Sequence, residues 1–194
     1  MSDNGNSCIH RYDLRSSDIF QWPVPGSPVG LSVTPNGNLL VTCREPSKLV
    51  ELSADRGQCV HEITLQSDIV HPCHSVQLTT GEYVVCHGLW DKDLRRVCLV
   101  GDDGKVTRSY GNQRGSDVGQ LNCPRHLAVD KGSQSIFVAD WGNHRVVLLS
   151  PTLEFERYVG EKPSLSSPRR LYLHQTTRRL FVGQLFVGVT VIQL

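Results

Sequence analysis

Arginine and histidine side chains follow three prolines that recur along the chain, in Pro72-Cys73-His74, Pro124-Arg125-His126 and Pro168-Arg169-Arg170. An arginine guanidinium presents a planar fork that fits a phosphate or a carboxylate, and an imidazole ring adds a surface for stacking. These residue types therefore favour the binding of an anion. The sequence contains none of the catalytic motifs G-x-S-x-G, the P-loop or H-E-x-x-H.

A second group of side chains suited to stacking and hydrogen bonding lies farther along the chain. With the first group it makes up the candidate binding residues, which are His74, His87, Trp90, Arg125, His126, Trp141, Asn143, His144, Arg169 and Arg170. Tryptophan and histidine offer faces on which a nucleobase can stack. The alternative interpretation is structural: arginine and histidine at loop ends are solvated or cap strands, and the tryptophans pack against neighbouring residues.

The elements that position these residues form an internal repeat. Four segments begin near Pro28, Pro72, Pro124 and Pro168, and each contains apolar runs of four to seven residues separated by turn-forming residues. Such runs predict β-strands, and several are apolar almost throughout, which suits strands covered on both faces. Short strands repeating every 44 to 52 residues predict an all-β fold, the β-propeller, with one four-stranded blade per repeat.

The predicted topology places both groups of candidate residues on one rim. In an up-and-down blade, the start of the first strand and the end of the second strand lie at the same end of the sheet. The residues after the repeated prolines should therefore share a face with those after the second apolar runs. The hairpin turns between the first and second strands should lie on the opposite face.

The repeat also predicts the domain boundaries. Residues 1–7 are expected to be disordered and 8–194 to form the propeller, with repeats at about 8–24 (partial), 25–66, 69–111, 119–160 and 164–194, the last without its final strand. This division gives about four blades and, because the chain begins and ends inside a blade, favours part of a larger propeller. The alternative is a closed ring of four blades, in which the run at 19–22 completes the last blade.

One repeat carries a more specific signature. The stretch from 119 to 150 resembles the NHL repeat in its Gly119-Gln120, Pro124, Asp130, Asp140 and Asn143-His144-Arg145. The resemblance implies that Pro124, Asp140, Asn143 and Arg145 form the structural motif of the repeat, with Arg145 bracing the turn against Asp140. The other repeats keep the apolar pattern and the proline but lose the rest of the signature. The place of Asp140 is taken by Cys43, His87 and Gln184, and only Lys48 echoes Arg145. Because NHL propellers usually have six blades, the resemblance also implies that the chain is part of a six-bladed propeller.

The chain also resembles the C-terminal NHL domain of tripartite-motif proteins. This resemblance implies a non-catalytic platform that binds single-stranded RNA, protein partners or both. It further implies recognition of a target for a ubiquitin ligase or in post-transcriptional regulation. The RING and B-box modules of that group need spaced Cys/His arrays, which residues 1–194 do not contain. No ligase activity is therefore expected of this chain, and a platform that binds proteins alone is the closest alternative.

The composition of the chain excludes several classes of partner and cofactor. The chain has 20 Lys+Arg against 19 Asp+Glu, so a strongly basic nucleic-acid arm is excluded and no DNA partner is expected. No apolar run approaches the roughly 20 residues of a membrane-spanning helix, so no membrane partner is expected. Seven cysteines without a C-x-x-C pair favour free thiols in the cytoplasm, with no metal and no cofactor.

A lyase or hydrolase with a metal in the central channel is the enzymatic alternative. Peptide-amidating lyases, which share the propeller superfamily that this chain resembles, hold zinc in the central channel through histidines at the start of their first strands. Here an alignment of the apolar residues places His74 level with Val29, Arg125 and Arg169, and His126 one residue out of register. A single aligned histidine does not supply the three nitrogen ligands of such a site.

Overall fold

The computed structural model describes residues 1–88, 94–160 and 165–194, and its strands are short, as the apolar runs predict. In chain order the elements are β1 (Ser2–Asp3), β2 (Cys8–Tyr12), β3 (Ile19–Pro23), β4 (Pro28–Val33), β5 (Leu39–Cys43), β6 (Lys48–Leu52), β7 (Cys59–Thr64), β8 (His74–Gln77), β9 (Tyr83–His87), β10 (Arg96–Val100), β11 (Val106–Arg114), β12 (Gln120–Leu121), β13 (Pro124–Val129), β14 (Ile136–Asp140), the 3-10 helix Trp141–Asn143, β15 (Arg145–Leu149), β16 (Phe155–Val159), β17 (Pro168–His174), β18 (Arg179–Gln184) and β19 (Gly188–Gln193).

These strands form five sheets, each a blade of the propeller. The strand orders are β1-β2-β3, β4-β5-β6-β7, β8-β9-β10-β11-β12, β13-β14-β15-β16 and β17-β18-β19. Neighbouring strands are antiparallel except for β12, which lies parallel to the end of β11. The first strands of successive sheets contact one another, in the order β1, β4, β8, β13 and β17. They therefore form the inner layer of the five sheets.

The β-propeller is confirmed, but the prediction of about four blades from a six-bladed propeller is wrong. The described chain has five sheets of three to five strands. The difference lies at the N-terminus, where β1 pairs with β2 and makes a sheet with β3. Consequently the run at 19–22 pairs with β2 and does not complete the last blade. A two-residue strand of polar residues, Ser2 and Asp3, gives no apolar pattern from which it could be predicted.

The hydrophobic core is divided among the spaces between neighbouring sheets. Four clusters of buried residues fill the four successive interfaces. The middle strands β9, β10, β14 and β15 are buried along their whole length. Because both faces of such a strand are covered, its sequence has no polar alternation. Within the described ranges, no helix is long and apolar enough to cross a bilayer.

Candidate functional site at the mouth of the central channel

Bulges at the start of three inner strands turn one side chain each toward the centre. The pairing of β4, β13 and β17 with their neighbours shifts register directly after the first proline. The residues at these shifts are Val29, Arg125 and Arg169. A β-bulge leaves the extra residue unpaired and redirects its side chain. Cys73, directly before β8, takes the corresponding place in the third sheet.

These side chains line a depression of about 230 Å³ to which all five sheets contribute, and which we call the channel mouth. Its lining consists of Ser2, Asn4, Pro28, Val29, Arg44, Cys73, Arg125, Arg169 and Arg170. Four of these nine residues are arginines, although the whole chain carries a formal net charge of only +1. The fold thus gathers positive charge at one end of the channel.

The four arginines of the channel mouth lack an acidic partner within residues 1–88, 94–160 and 165–194. None of them forms an ion pair with any residue that the structure describes. The Nε atoms of Arg44 and Arg125 are buried and have no hydrogen-bond partner there. Desolvation within the cluster lowers the pKa of Arg170, and the charges of Arg169 and Arg125 lower it further. Unrelieved repulsion among like charges is what a bound anion would remove.

Cys73, at the floor of the mouth, is held as a thiol. Burial raises its pKa to about 11, even though the nearby charges of Arg44, Arg125 and Arg170 oppose the rise. Because the thiolate is the nucleophilic form of cysteine, the protonated side chain at neutral pH is suited to packing. The mouth therefore offers charge for binding but no activated cysteine.

A groove of about 430 Å³ continues outward from the mouth. It is lined by Arg95, Arg114, Asn122, Cys123, Arg125, Trp141, Gly142, His144 and Ser167. Arg125 belongs to both concavities, and its Cζ lies 5.2 Å from the centre of the Trp141 ring. A guanidinium stacked on an indole is a cation–π pair and fixes both groups in place. Mouth and groove together form one cationic surface with an aromatic face.

Two of the predicted binding histidines lie inside the channel wall. His74 Nε2 donates to the carbonyl oxygen of Leu31 at 3.1 Å, and its Nδ1 accepts from the Leu127 amide at 3.4 Å. His126 Nδ1 accepts from the Leu171 amide at 3.3 Å. Both rings therefore join the first strands of neighbouring blades. Burial lowers the pKa of His74 to about 4 and that of His126 well below its usual range.

The register expected for these histidines is wrong. His74 lies opposite Cys86 and His126 lies opposite Ala139, which are equivalent positions of β9 and β14. The two histidines are thus level with each other, and Arg125 is level with Cys73. An alignment of apolar residues misses this because it matches Val76 with Leu127. The strand pairing instead makes the polar Ser75 equivalent to Leu127, since they lie opposite Val85 and Val138.

Other predicted residues serve the local structure. His87 is fully buried, with its Nε2 2.9 Å from Arg96 Nε and 3.4 Å from Cys98 Sγ. Arg145, for which the sequence predicts a bracing role, donates from Nε to Asp140 Oδ2 at 2.8 Å, and Asn143 Nδ2 donates to the same oxygen at 2.7 Å. Burial raises the pKa of Asp140, and these hydrogen bonds oppose the rise.

The remaining candidates divide between the two concavities and the undescribed segments. Arg169 and Arg170 line the mouth, whereas Trp141 and His144 line the groove. His144 has a positive φ of 53° after the 3-10 helix, and its Nδ1 accepts from the Ser167 amide at 3.0 Å. Trp90 lies outside the described residues.

Sequence reasoning missed Arg44, Arg95 and Arg114. Arg44 directly follows β5, so it stands where a second strand ends, and the topological rule that selected His87 and Trp141 would also have selected it. Arg95, which donates to Asn122, directly precedes β10, and Arg114 ends β11. No sequence signal marks those two positions, because their place in the groove depends on how the third and fourth sheets pack.

Comparison with known proteins agrees with the fold. The NHL repeat family model matches residues 121–147, which run from the end of β12 into β15. The matched segment holds Asp140, Asn143 and Arg145, so it contains the buried brace described above. The family match together with the arrangement of sheets supports an NHL-repeat propeller.

Solved structures with a similar fold have distant sequences. A protein of unknown function from Bacteroides caccae is 16% identical with a TM-score of 0.74, over 97% of this chain and 72% of that one. A streptogramin B lyase is 13% identical with a TM-score of 0.66, and virginiamycin B lyase from Staphylococcus aureus is 10% identical with a TM-score of 0.65. Both matches cover 98% of this chain but only 63% and 64% of the lyases. At this identity the likeness concerns the fold alone.

Proposed function

We propose that this propeller is a non-catalytic binding module whose channel mouth and groove bind single-stranded RNA. The observation that carries the proposal is the cluster of Arg44, Arg125, Arg169 and Arg170, which lies around one opening without an acidic partner among the described residues. Proteins that bind single strands combine a positive groove for the phosphates with aromatic faces for the bases. The mouth supplies the charge, and Trp141 supplies an aromatic face beside it.

The geometry suggests how a short strand would lie. One phosphate fits the mouth, where the exposed Arg169 and Arg170 can reach it and its charge relieves their repulsion. The strand then continues along the groove past Trp141 and the exposed Arg114. Because the contacts made by arginine are to phosphates, binding is expected to be tolerant of base sequence and strongly dependent on salt.

The proposal is tested with a salt titration. A fluorescent pool of short single-stranded RNAs is mixed with the full chain, and its affinity is measured by anisotropy between low and physiological salt. Each phosphate contact contributes about 0.7 to the slope of log affinity against log salt concentration. The double variant Arg169→Ala/Arg170→Ala should therefore reduce that slope by about 1.4.

The matched control is Arg108→Ala/Arg157→Ala, which removes the same charge from exposed positions of the outer strands β11 and β16. It should leave the slope nearly unchanged. If both double variants weaken binding equally, binding depends only on the net charge of the chain, and the channel mouth is not the RNA site. If the wild type does not bind RNA, the surface is better explained by an acidic protein partner, the alternative that the sequence leaves open.

The finer parts of the proposal follow from the resemblance to tripartite-motif proteins. In such a protein the module would select the target of a ubiquitin ligase or a transcript for regulation, in the cytoplasm, while any ligase activity would belong to other modules. The lyase alternative finds less support in the channel. Both ring nitrogens of His74 and the Nδ1 of His126 already take part in backbone hydrogen bonds, so these two rings leave at most one nitrogen for a metal.

A further inference from the structure

The first blade brings three metal-binding side chains together. Cys8 and His10 are two residues apart on β2, so their side chains point to the same face of the sheet. Asp3 on β1 lies directly opposite Cys8 in the antiparallel register. Thiolate, imidazole and carboxylate are the three kinds of ligand that zinc takes in proteins. The pairing of the two strands therefore places one of each at a single point.

The distances among the ligand atoms fit one small ion. His10 Nε2 lies 3.2 Å from Asp3 Oδ2 and 3.5 Å from Cys8 Sγ, and the three atoms all lie within 4.8 Å of one another. Around tetrahedral zinc, with its usual bond lengths, the nitrogen–oxygen separation is about 3.3 Å and the nitrogen–sulfur separation about 3.6 Å. An ion could thus enter between these atoms with little movement of either strand.

The surroundings leave one side of the cluster accessible. Cys8 is almost completely buried, whereas the side chains of Asp3 and His10 are each 28% exposed. Two amides complete the wall: Gln21 Nε2 is 3.1 Å from Cys8 Sγ, and Asn6 Nδ2 is 2.8 Å from Asp3 Oδ2. Water, or the Gln21 amide after rotation, can supply a fourth ligand.

We propose that Asp3 Oδ2, Cys8 Sγ and His10 Nε2 bind one zinc ion. On binding, the Cys8 thiol releases its proton to solvent and the sulfur coordinates as the thiolate. His10 binds as the neutral tautomer that carries its proton on Nδ1, and Asp3 binds as the carboxylate. The hydrogen bonds that now join these groups are replaced by bonds to the metal.

Such an ion would act as a structural clip. It would tie the two-residue strand β1 to β2, and β1 supplies Ser2 to the lining of the channel mouth, with Asn4 following directly after it. The site does not depend on the proposed RNA binding, because its ligands lie outside the arginine cluster. Failure of either proposal leaves the other intact.

Cobalt(II) is the probe for the first test, because it takes zinc sites and gives an absorption band when bound to a thiolate. The full chain, kept reduced with a phosphine, is titrated with cobalt(II) and then with zinc. We expect one equivalent of cobalt with a thiolate charge-transfer band that zinc abolishes. Loss of a supporting residue costs up to about 100-fold in metal affinity, so Cys8→Ser should weaken cobalt binding by at least about that factor.

The chain contains a matched control for this site. Cys59 and His61 repeat the C-x-H spacing on β7, and Cys59 is the only exposed cysteine among the seven. A register shift falls between their partners, Leu52 and Glu51, so the two side chains do not converge. Instead Cys59 Sγ lies 3.7 Å from the backbone oxygen of His61. Cys59→Ser/His61→Gln should therefore leave the cobalt band unchanged.

Two results of the cysteine comparison would overturn the proposal. One is a wild-type chain that shows no thiolate band, and the other is a band that is lost in Cys59→Ser/His61→Gln and kept in Cys8→Ser. Since Cys8 is buried, Cys8→Ser alone could also disturb folding. His10→Asn and Asp3→Asn, which alter the partly exposed ligands, must each weaken cobalt binding while the circular dichroism spectrum stays that of the wild type. If both bind cobalt normally, the three residues form only a hydrogen-bonded cluster.

Discussion

His74 and His126 stack on each other with their ring centroids 3.7 Å apart. His74 bridges β4 and β13 through Leu31 and Leu127, and His126 continues to β17 through Leu171. Because His74 donates from Nε2 and accepts at Nδ1, its bonds require the neutral ring. The pair thus joins four successive blades near the channel through two imidazole rings that must stay neutral.

This arrangement predicts that stability falls in mild acid. The pKa of His74 is about 4 in the folded chain, against about 6.5 for an unperturbed histidine, so between these values the unfolded chain binds more protons. The contribution of His74 to the free energy of unfolding is fully present above about pH 6.5 and is lost as the pH falls toward 4. His74 alone should account for a loss of about 2 kcal/mol between pH 7 and pH 5. Urea unfolding at a series of pH values measures it.

The variant His74→Gln isolates this contribution. Glutamine keeps a donor and an acceptor but does not titrate, so the variant should be less stable at pH 7 and lose less stability on acidification. His61→Gln alters a partly exposed histidine and should follow the wild type at every pH. Parallel pH profiles for the wild type and His74→Gln would contradict the assignment.

A second prediction concerns the contact between the first and second blades. Gly57, in the turn before β7, has a φ of +66°, and a Cβ added there would lie 2.0 Å from Trp22 Cδ2. Gly37 has a comparable φ of +85° but no atom within 4 Å of its added Cβ. Gly37→Ala therefore measures backbone strain alone, about 1 kcal/mol. Gly57→Ala should cost about 1–3 kcal/mol more, because overpacking is added to that strain.

Denaturant midpoints of the two alanine variants give the comparison directly. Equal losses would show that Trp22 moves aside without cost. A larger loss for Gly57→Ala, together with a changed tryptophan emission spectrum, would place the disturbance at the Trp22 ring.

A third prediction follows from the buried brace of the fourth blade. Arg145 is almost completely buried and donates to Asp140 Oδ2 at 2.8 Å, to the Gln120 carbonyl at 2.8 Å and to the Tyr158 hydroxyl at 2.9 Å. Lysine keeps the charge but cannot make these divergent contacts. Arg145→Lys should therefore lower the free energy of unfolding by about 2–3 kcal/mol through the loss of these hydrogen bonds. Arg157→Lys on the exposed side of β16 should change it little, and equal effects would show that charge alone matters.

Sequence patterns were sufficient to predict an all-β propeller because its middle strands are buried on both faces. Runs such as those of β9 and β14 contain little but apolar residues, and their repetition with intervening turns defines a propeller. The number of blades was mispredicted because one strand, β1, is two polar residues long. Its position depends on backbone pairing with Cys8 and Ile9, which leaves no pattern in side-chain type.

The candidate site was predictable only in part, because the repeat pattern does not show which way a polar side chain points. The position of a residue in a repeat predicts the end of the blade at which it lies, which located Arg125, Arg169, Arg170 and Trp141. It does not predict whether a polar side chain faces solvent or a neighbouring backbone. That distinction depends on bulges and on the distance between blades, and it separates the arginines from His74 and His126.

A fourth prediction distinguishes the proposed binding residues of the channel mouth from the candidates predicted by the sequence. Arg44 belongs to the channel mouth but was absent from the sequence candidates, whereas His87 was a candidate but is fully buried. If the mouth binds RNA as proposed, Arg44→Ala should weaken binding several-fold and lower the salt slope by about 0.7. Arg108→Ala removes the same charge from an outer strand and should preserve that slope. If Arg44→Ala instead binds RNA with the affinity of the wild type, the interaction is confined to the groove around Trp141 and the mouth is not part of the site.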